Sequence, residues 1–118
     1  MNERVESLAV DGDIRSARTL PPCAFQDRSI AEEEQRVIHQ RGFQLLAPTA
    51  LPTTDKSSTP SDLASTPLVI TRDEDSSLTV LSNICTHAWY PVTTKPTQGR
   101  FLTCGQHGRR FDLRGQAL

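Results

Sequence analysis

Apolar positions along this chain come in short bursts separated by long polar stretches. Leu68-Val69-Ile70 is an uninterrupted apolar run and reads as a buried strand. Arg72 to Ser77 is polar and reads as a turn, and residues 78 to 84 return as its hairpin partner. Phe101-Leu102-Thr103-Cys104 and Arg110-Phe111-Asp112-Leu113 read as two more short strands, with Arg114-Gly115 as a turn after the second. A helical period occurs only near the N-terminus, from Asp27 to Arg41. Ile30, Val37 and Ile38 share one face there, Ser29 and Glu32 form a capping box, and Gly42 ends the helix. Residues 48 to 67 are rich in Pro, Ser and Thr and read as a long loop, with room for a short edge strand. Residues 1 to 19 are polar and aperiodic. The division that follows is a flexible arm over 1–19, a helix and first strand over 20–47, and a mostly antiparallel β domain over 48–118. No internal repeat is present.

Composition narrows the classes of function. A chain of 118 residues suffices for one domain, and a net charge of −1 gives no electrostatic case for nucleic acid or an anionic membrane. No apolar run approaches the roughly 18 residues of a membrane span. The start, Met-Asn-Glu-Arg-Val-Glu, is charged and lacks the apolar core of a signal peptide. Three cysteines, two of them beside histidines, argue against a disulfide scaffold and suit a reducing, cytoplasmic setting.

The chemistry concentrates in two short pairs, Cys85-Thr86-His87 and Cys104-Gly105-Gln106-His107, with sixteen residues between His87 and Cys104. Thiolate is a soft donor suited to iron–sulfur clusters, and imidazole is a weaker, neutral one. Two irons bridged by sulfide need four protein ligands, and two histidines replacing two cysteines define the Rieske version of that centre. Cys85 and Cys104 would then hold one iron, and His87 and His107 the other. Gly105 and Gly108 bracket the second pair, where backbone can approach a cluster closely and aim amides at its sulfurs. A structural zinc on the same Cys₂His₂ set is the competing reading. Zinc sites usually pair like ligands, as C-x₂₋₄-C and H-x₃₋₅-H, whereas each pair here mixes Cys with His. Unrelated packing of these four residues is the bland alternative.

The stretch from Cys104 to Gly115, Cys-Gly-Gln-His-Gly-Arg-Arg-Phe-Asp-Leu-Arg-Gly, together with the C-x-H pair, resembles the N-terminal part of the α subunit of Rieske non-heme iron, ring-hydroxylating oxygenases. Leu20 to Ile30, the helix and Gly42-Phe43 are similar to that family's opening segment, and Pro67 to Asp73 to its first buried strand and turn. The resemblance covers about residues 20 to 118. It implies a mainly β, Rieske-type antiparallel fold, a small cluster-binding subdomain on a strand base, with one N-terminal α-helix. It implies one Rieske-type [2Fe–2S] cluster per chain, held by Cys85, His87, Cys104 and His107. It also implies a reductase or ferredoxin as electron donor, and a catalytic mononuclear-iron domain or subunit as acceptor, with an oligomer as a possible setting. Ala88-Trp89 stands where the family usually has Arg-Gly, and Gln106 where it often has Tyr. The extra cysteine pair of respiratory-chain Rieske proteins is absent, so the high-potential, quinol-oxidising type is not expected.

The remaining residues of interest have modest roles. Cys23 reads as a free or packed thiol, and His39 as a packed or solvated helix residue. Trp89 and Tyr90 read either as a shield against water over the cluster or as ordinary packing. Arg109 and Arg110 read either as a dock for an acidic reductase or ferredoxin or as solvated strand positions. Apart from the four ligands, His39 is the only histidine, so a second, two-histidine iron site cannot be built from this chain and hydroxylation is not expected of it alone. The strands that follow the motif in the family, and close its base sheet, are also expected to be missing. The functional reading is therefore an oxygenase-type electron-transfer domain, shortened at its C-terminus, with a free-standing Rieske ferredoxin as second choice and a zinc-bound structural module as third.

Overall fold

The computed structural model describes residues 10–63 and 65–118. It divides between Phe43 and Gln44 into two compact units.

The first unit is helical. Helix α1 spans Cys23–Gln26 and α2 spans Arg28–Glu34, and a π-helical turn follows over Gln35–His39. The capping box expected at Ser29 and Glu32 is not what starts α2. Asp27 caps it, with Oδ1 accepting from the Ser29 amide at 2.9 Å and the Ser29 hydroxyl at 2.7 Å. A carboxylate at a helix N-terminus satisfies free amides and also meets the positive end of the helix dipole, which a serine two residues on does not. Glu32 is left to pair with Arg28 at 2.9 Å. The expected apolar face is also interrupted. Ile30 is buried, but Val37 and Ile38 are 43% and 56% exposed. The π turn, closed by the Gln40 amide on the Gln35 carbonyl at 3.0 Å, is wider than an α turn. Side chains seven and eight residues apart then no longer stack in one line. Residues 1–9 of the expected arm lie outside the described residues; 10–19 are exposed throughout.

The second unit holds all the strands of the described residues: β1 Ser57–Leu63, β2 Thr66–Arg72, β3 Leu78–Ser82, β4 Thr97–Gln98, β5 Phe101–Thr103 and β6 Arg110–Asp112. Strands β3-β2-β1-β4 form one antiparallel sheet in that order, and β5-β6 a separate hairpin. The β2–β3 hairpin matches its reading in the sequence, with Ile70 opposite Val80 and Val69 opposite Leu81. The first strand does not lie within 20–47, and the segment read as a loop contains β1, a full-length strand paired with β2 from Ser57↔Arg72 to Leu63↔Thr66. Its Ser-Ser-Thr-Pro-Ser sequence carries no apolar alternation, so only the partner strand reveals it. Pro60, which has no amide to donate, is tolerated because, among the described residues, β4 pairs only with Ser57 and Ser58 on that side.

Packing joins the sheet to the β5–β6 hairpin. Val69 faces a cluster made by Cys85, Val92, Leu102, Cys104, Phe111 and Leu113, with Leu81 at its margin. Full burial of an aliphatic side chain such as Val69 contributes about 1.5–3 kcal/mol. Two polar ties fix the register of these layers. The buried Thr71 hydroxyl donates to the Leu113 carbonyl at 2.6 Å. Asp73, at the β2–β3 turn, accepts the Asp75 and Ser77 amides on Oδ1 and the Arg114 guanidinium on Oδ2 at 2.9 Å.

Two outcomes follow. Thr71→Val keeps shape but strands the buried Leu113 carbonyl, so it should lower the free energy of unfolding by about 1–3 kcal/mol in urea titration. The Arg114 side chain first, and the turn amides after it, hold the Asp73 carboxyl below its ordinary pKa. A depressed carboxyl stabilises the fold above its unfolded pKa, about 3.9, and loses that contribution as pH falls through the lower folded value. Asp73→Asn should therefore be less stable than the parent at neutral pH. The gap should close as pH drops below about 4, read as converging thermal midpoints.

Candidate metal centre

Each Cys–His pair lies on a turn mounted on the second unit. The first turn springs from the end of β3. Its base is gripped by Asn83, a buried side chain that accepts from the Thr93 amide at 3.0 Å and donates to the Thr93 carbonyl at 2.7 Å. The backbone of Asn83 takes part too, accepting from the Val92 amide at 3.0 Å. Asn83 was not singled out in the sequence; its one signal is a polar residue closing an apolar strand two positions before Cys85. The second turn joins β5 to β6, held by Leu102↔Phe111 and Thr103↔Arg110 pairing. Beyond β6, Asp112 Oδ1 accepts the Arg114 and Gln116 amides and bends the chain back.

The two turns share one hydrogen-bond scheme. In the first, the Cys85 amide donates to the Tyr90 carbonyl at 2.8 Å and the Trp89 amide donates to the Cys85 carbonyl at 3.0 Å. In the second, the Cys104 amide donates to the Arg109 carbonyl at 2.8 Å and the Gly108 amide donates to the Cys104 carbonyl at 2.9 Å. Trp89 and Gly108 therefore occupy the same place, four residues after the cysteine, and both have left-handed backbone, φ 54° and 73°. Glycine adopts this region freely, whereas a residue with a Cβ pays about 1–2 kcal/mol. Of the two glycines read as brackets, Gly108 is the one its φ requires; Gly105 has ordinary φ and open space around it.

This scheme brings all four predicted residues to one end of the unit. The Cys85 and Cys104 side chains are buried, at 1% and 2% exposure, in the apolar cluster under the turns. His87 and His107 are exposed above them, ring centroids 5.0 Å apart and edge to face at 79°. The His87 amide, aimed at the Cys85 sulfur, lowers that thiol's pKa from its ordinary value. The Cys104 thiol, the Ala88 amide and the Arg109 charge add to this, against the opposing effect of burial. The amides that reach this sulfur thus come from His87 and Ala88, while the Gly108 amide is spent on its own turn. Among the described residues, no three His, Cys, Asp or Glu side chains gather as a single metal ion would need. The donors come as a sulfur pair below and an imidazole pair above, which fits a two-iron cluster taking one pair at each iron.

Other candidate residues stand apart. Cys23 is an exposed free thiol, and His39 is exposed on the π turn, both in the first unit. Trp89 does not shield the two turns: it is 84% exposed, with left-handed backbone at the turn's end. Tyr90 is also exposed. The Arg110 guanidinium lies 4.1 Å over the Phe101 ring, and that of Arg109 5.8 Å from the Phe111 ring centroid.

The Rieske [2Fe–2S] domain family matches residues 43–118. No curated protein matches the chain. Among solved structures, the quaternary ammonium Rieske monooxygenase CntA aligns with a TM-score of 0.76 at 22% identity, over 85% of this chain and 28% of that one. Naphthalene 1,2-dioxygenase from Rhodococcus sp. aligns with a TM-score of 0.74 at 18% identity, over 85% of this chain and 23% of that one. At these identities the likeness is one of fold, and the chain spans less than a third of either relative's length. Twin turns that bury two cysteines beneath two adjacent histidines lie inside the matched segment, and the chain belongs to the Rieske [2Fe–2S] domain family.

Proposed function

We propose that this chain is the electron-transfer domain of a ring-hydroxylating-type oxygenase, carrying one Rieske [2Fe–2S] cluster on Cys85, His87, Cys104 and His107. It receives electrons from a reductase or ferredoxin and relays them to a mononuclear non-heme iron in a catalytic domain or subunit. The carrying observation is the donor arrangement: two buried sulfurs beneath two exposed imidazoles, on turns closed by identical backbone hydrogen bonds. Likeness of fold to a Rieske monooxygenase and a Rieske dioxygenase supports the oxygenase setting. The cluster-bearing domain is read as 48–118, the helix as part of 20–47, and the setting as cytoplasmic. No helix among the described residues is long and apolar enough to cross a membrane.

The chain's residues divide the work. A bound cluster of this type supplies one-electron exchange, with potentials within about −150 to +300 mV. Cys85 and Cys104 give the anionic donors and, being buried, keep water from the sulfurs. The His87 and Ala88 amides, aimed at the Cys85 sulfur, stabilise its charge and so favour added negative charge nearby. His87 and His107 present ring edges at the surface, where a partner can hydrogen-bond to them and an electron has the shortest way in or out. Asn83, the two closed turns and the β5–β6 pairing hold this geometry fixed, so little rearrangement accompanies a change of charge.

The first test is an EPR spectrum of the dithionite-reduced protein, purified without oxygen, with iron and acid-labile sulfide counted on the same sample. A rhombic signal with about two irons and two sulfides per chain is expected. The Cys85→Ser variant should lose both and loosen the turns; retention of full iron there would overturn the ligand assignment. A colourless, EPR-silent parent holding stoichiometric zinc would move the protein to the structural class. His107→Cys replaces a neutral ligand with an anionic one, so its midpoint potential should fall by on the order of 100 mV. An unchanged or higher potential would contradict the role of His107.

A further inference from the structure

Trp89 holds the position that glycine holds in the twin turn, in left-handed backbone, and buries almost none of its side chain. Neither burial nor backbone preference accounts for a tryptophan there. Strained positions that persist without a packing return are concentrated at sites of interaction, and a solvent-facing tryptophan is among the commonest anchors of protein interfaces. Its turn carries His87, so anything that packs on Trp89 lies beside that exposed ring.

Charge says what kind of partner fits. From Ser76 to Phe111 the sequence has no Asp or Glu and four basic residues, Lys95, Arg100, Arg109 and Arg110, although the whole chain is net −1. Arg100 faces Glu74 at 4.0 Å. Arg109 and Arg110 bear instead on aromatic rings, and Arg109 closes the second turn, whose His107 ring lies 5.0 Å from His87 of the Trp89 turn. A segment that carries the exposed aromatic and only positive charges favours an acidic surface and speeds its encounter.

We propose that Trp89, with Arg109 on the neighbouring turn, is the docking anchor for an acidic one-electron carrier protein that delivers electrons at the His87 side. This rests on the cluster assignment above. The transfer itself is a single electron from the reduced carrier to the oxidised cluster, with no bond made or broken.

The test is stopped-flow reduction of the full chain, with its cluster assembled, by a small acidic [2Fe–2S] ferredoxin held reduced by its reductase and NADPH. Dithionite reduction of the same samples serves as the reference. The parent's second-order rate with ferredoxin should fall steeply as NaCl rises. Trp89→Gly should lower that rate about tenfold or more at low salt, and Trp89→Phe should keep most of it. Both variants should retain the parent's iron content and dithionite reduction, with a thermal midpoint no lower than the parent's, since glycine suits φ 54° better than tryptophan and phenylalanine suits it equally. Equal ferredoxin rates for the parent and Trp89→Gly, or a parent rate indifferent to salt, would overturn the proposal. So would gel filtration showing a dimer of the parent that Trp89→Gly dissolves, since the anchor would then serve a second copy. A parent that assembles no dithionite-reducible cluster defeats the cluster assignment itself, and this proposal with it.

Discussion

Burying the sulfurs of Cys85 and Cys104 takes two reactive donors out of water, and the surrounding architecture is what makes that burial possible. The sulfurs lie among Val69, Val92, Leu102, Phe111 and Leu113, so the layer that supports the site is also the core of the unit. Neither turn can move far without opening that core. The histidines, two and three residues further along, are carried outward by the same turns, and the division between a dry interior and a wet surface runs through the site itself. A domain of this size has little apolar area to spare, and this one places a large share of it around the two cysteines.

Polar contacts settle where that layer lies against the sheet. Apolar packing alone is nearly indifferent to a slide of one residue, whereas a buried hydroxyl and a buried carbonyl must meet or both go unpaired. Thr71 and Leu113 are forty-two residues apart and make that contact, and the Asp73–Arg114 pair repeats the constraint at the next turn. Asn83 plays the same part for the first turn, bonding both polar groups of the Thr93 backbone. The geometry at the donors is thus specified by single polar side chains at strand ends, outside the Cys–His pairs.

Much of this was legible in the residues because it is local. The β2–β3 hairpin shows in Leu68 to Ile70 and the returning run to Ile84, and the two Cys–His pairs show in spacing alone. The β1 strand was hidden because Ser57 to Ser61 owe their place to pairing with β2, a partner the local pattern does not reveal. The start of α2 was misplaced because Ser29 and Glu32 satisfy the capping-box spacing, while the stronger acceptor, Asp27, lies two residues earlier. Exposure of Trp89 was equally hidden. It follows from a left-handed backbone imposed by turn closure, and nothing about a tryptophan announces that conformation.

Pro60 has a bearing beyond the sheet it belongs to. An unpaired strand edge is a template for any other extended chain, and among the described residues β4 covers β1 only at Ser57 and Ser58. A newcomer aligning there would find a ring where it needs a donor, and the ladder would fail in its middle. The one proline of β1 therefore also limits unwanted strand addition along that side of the strand.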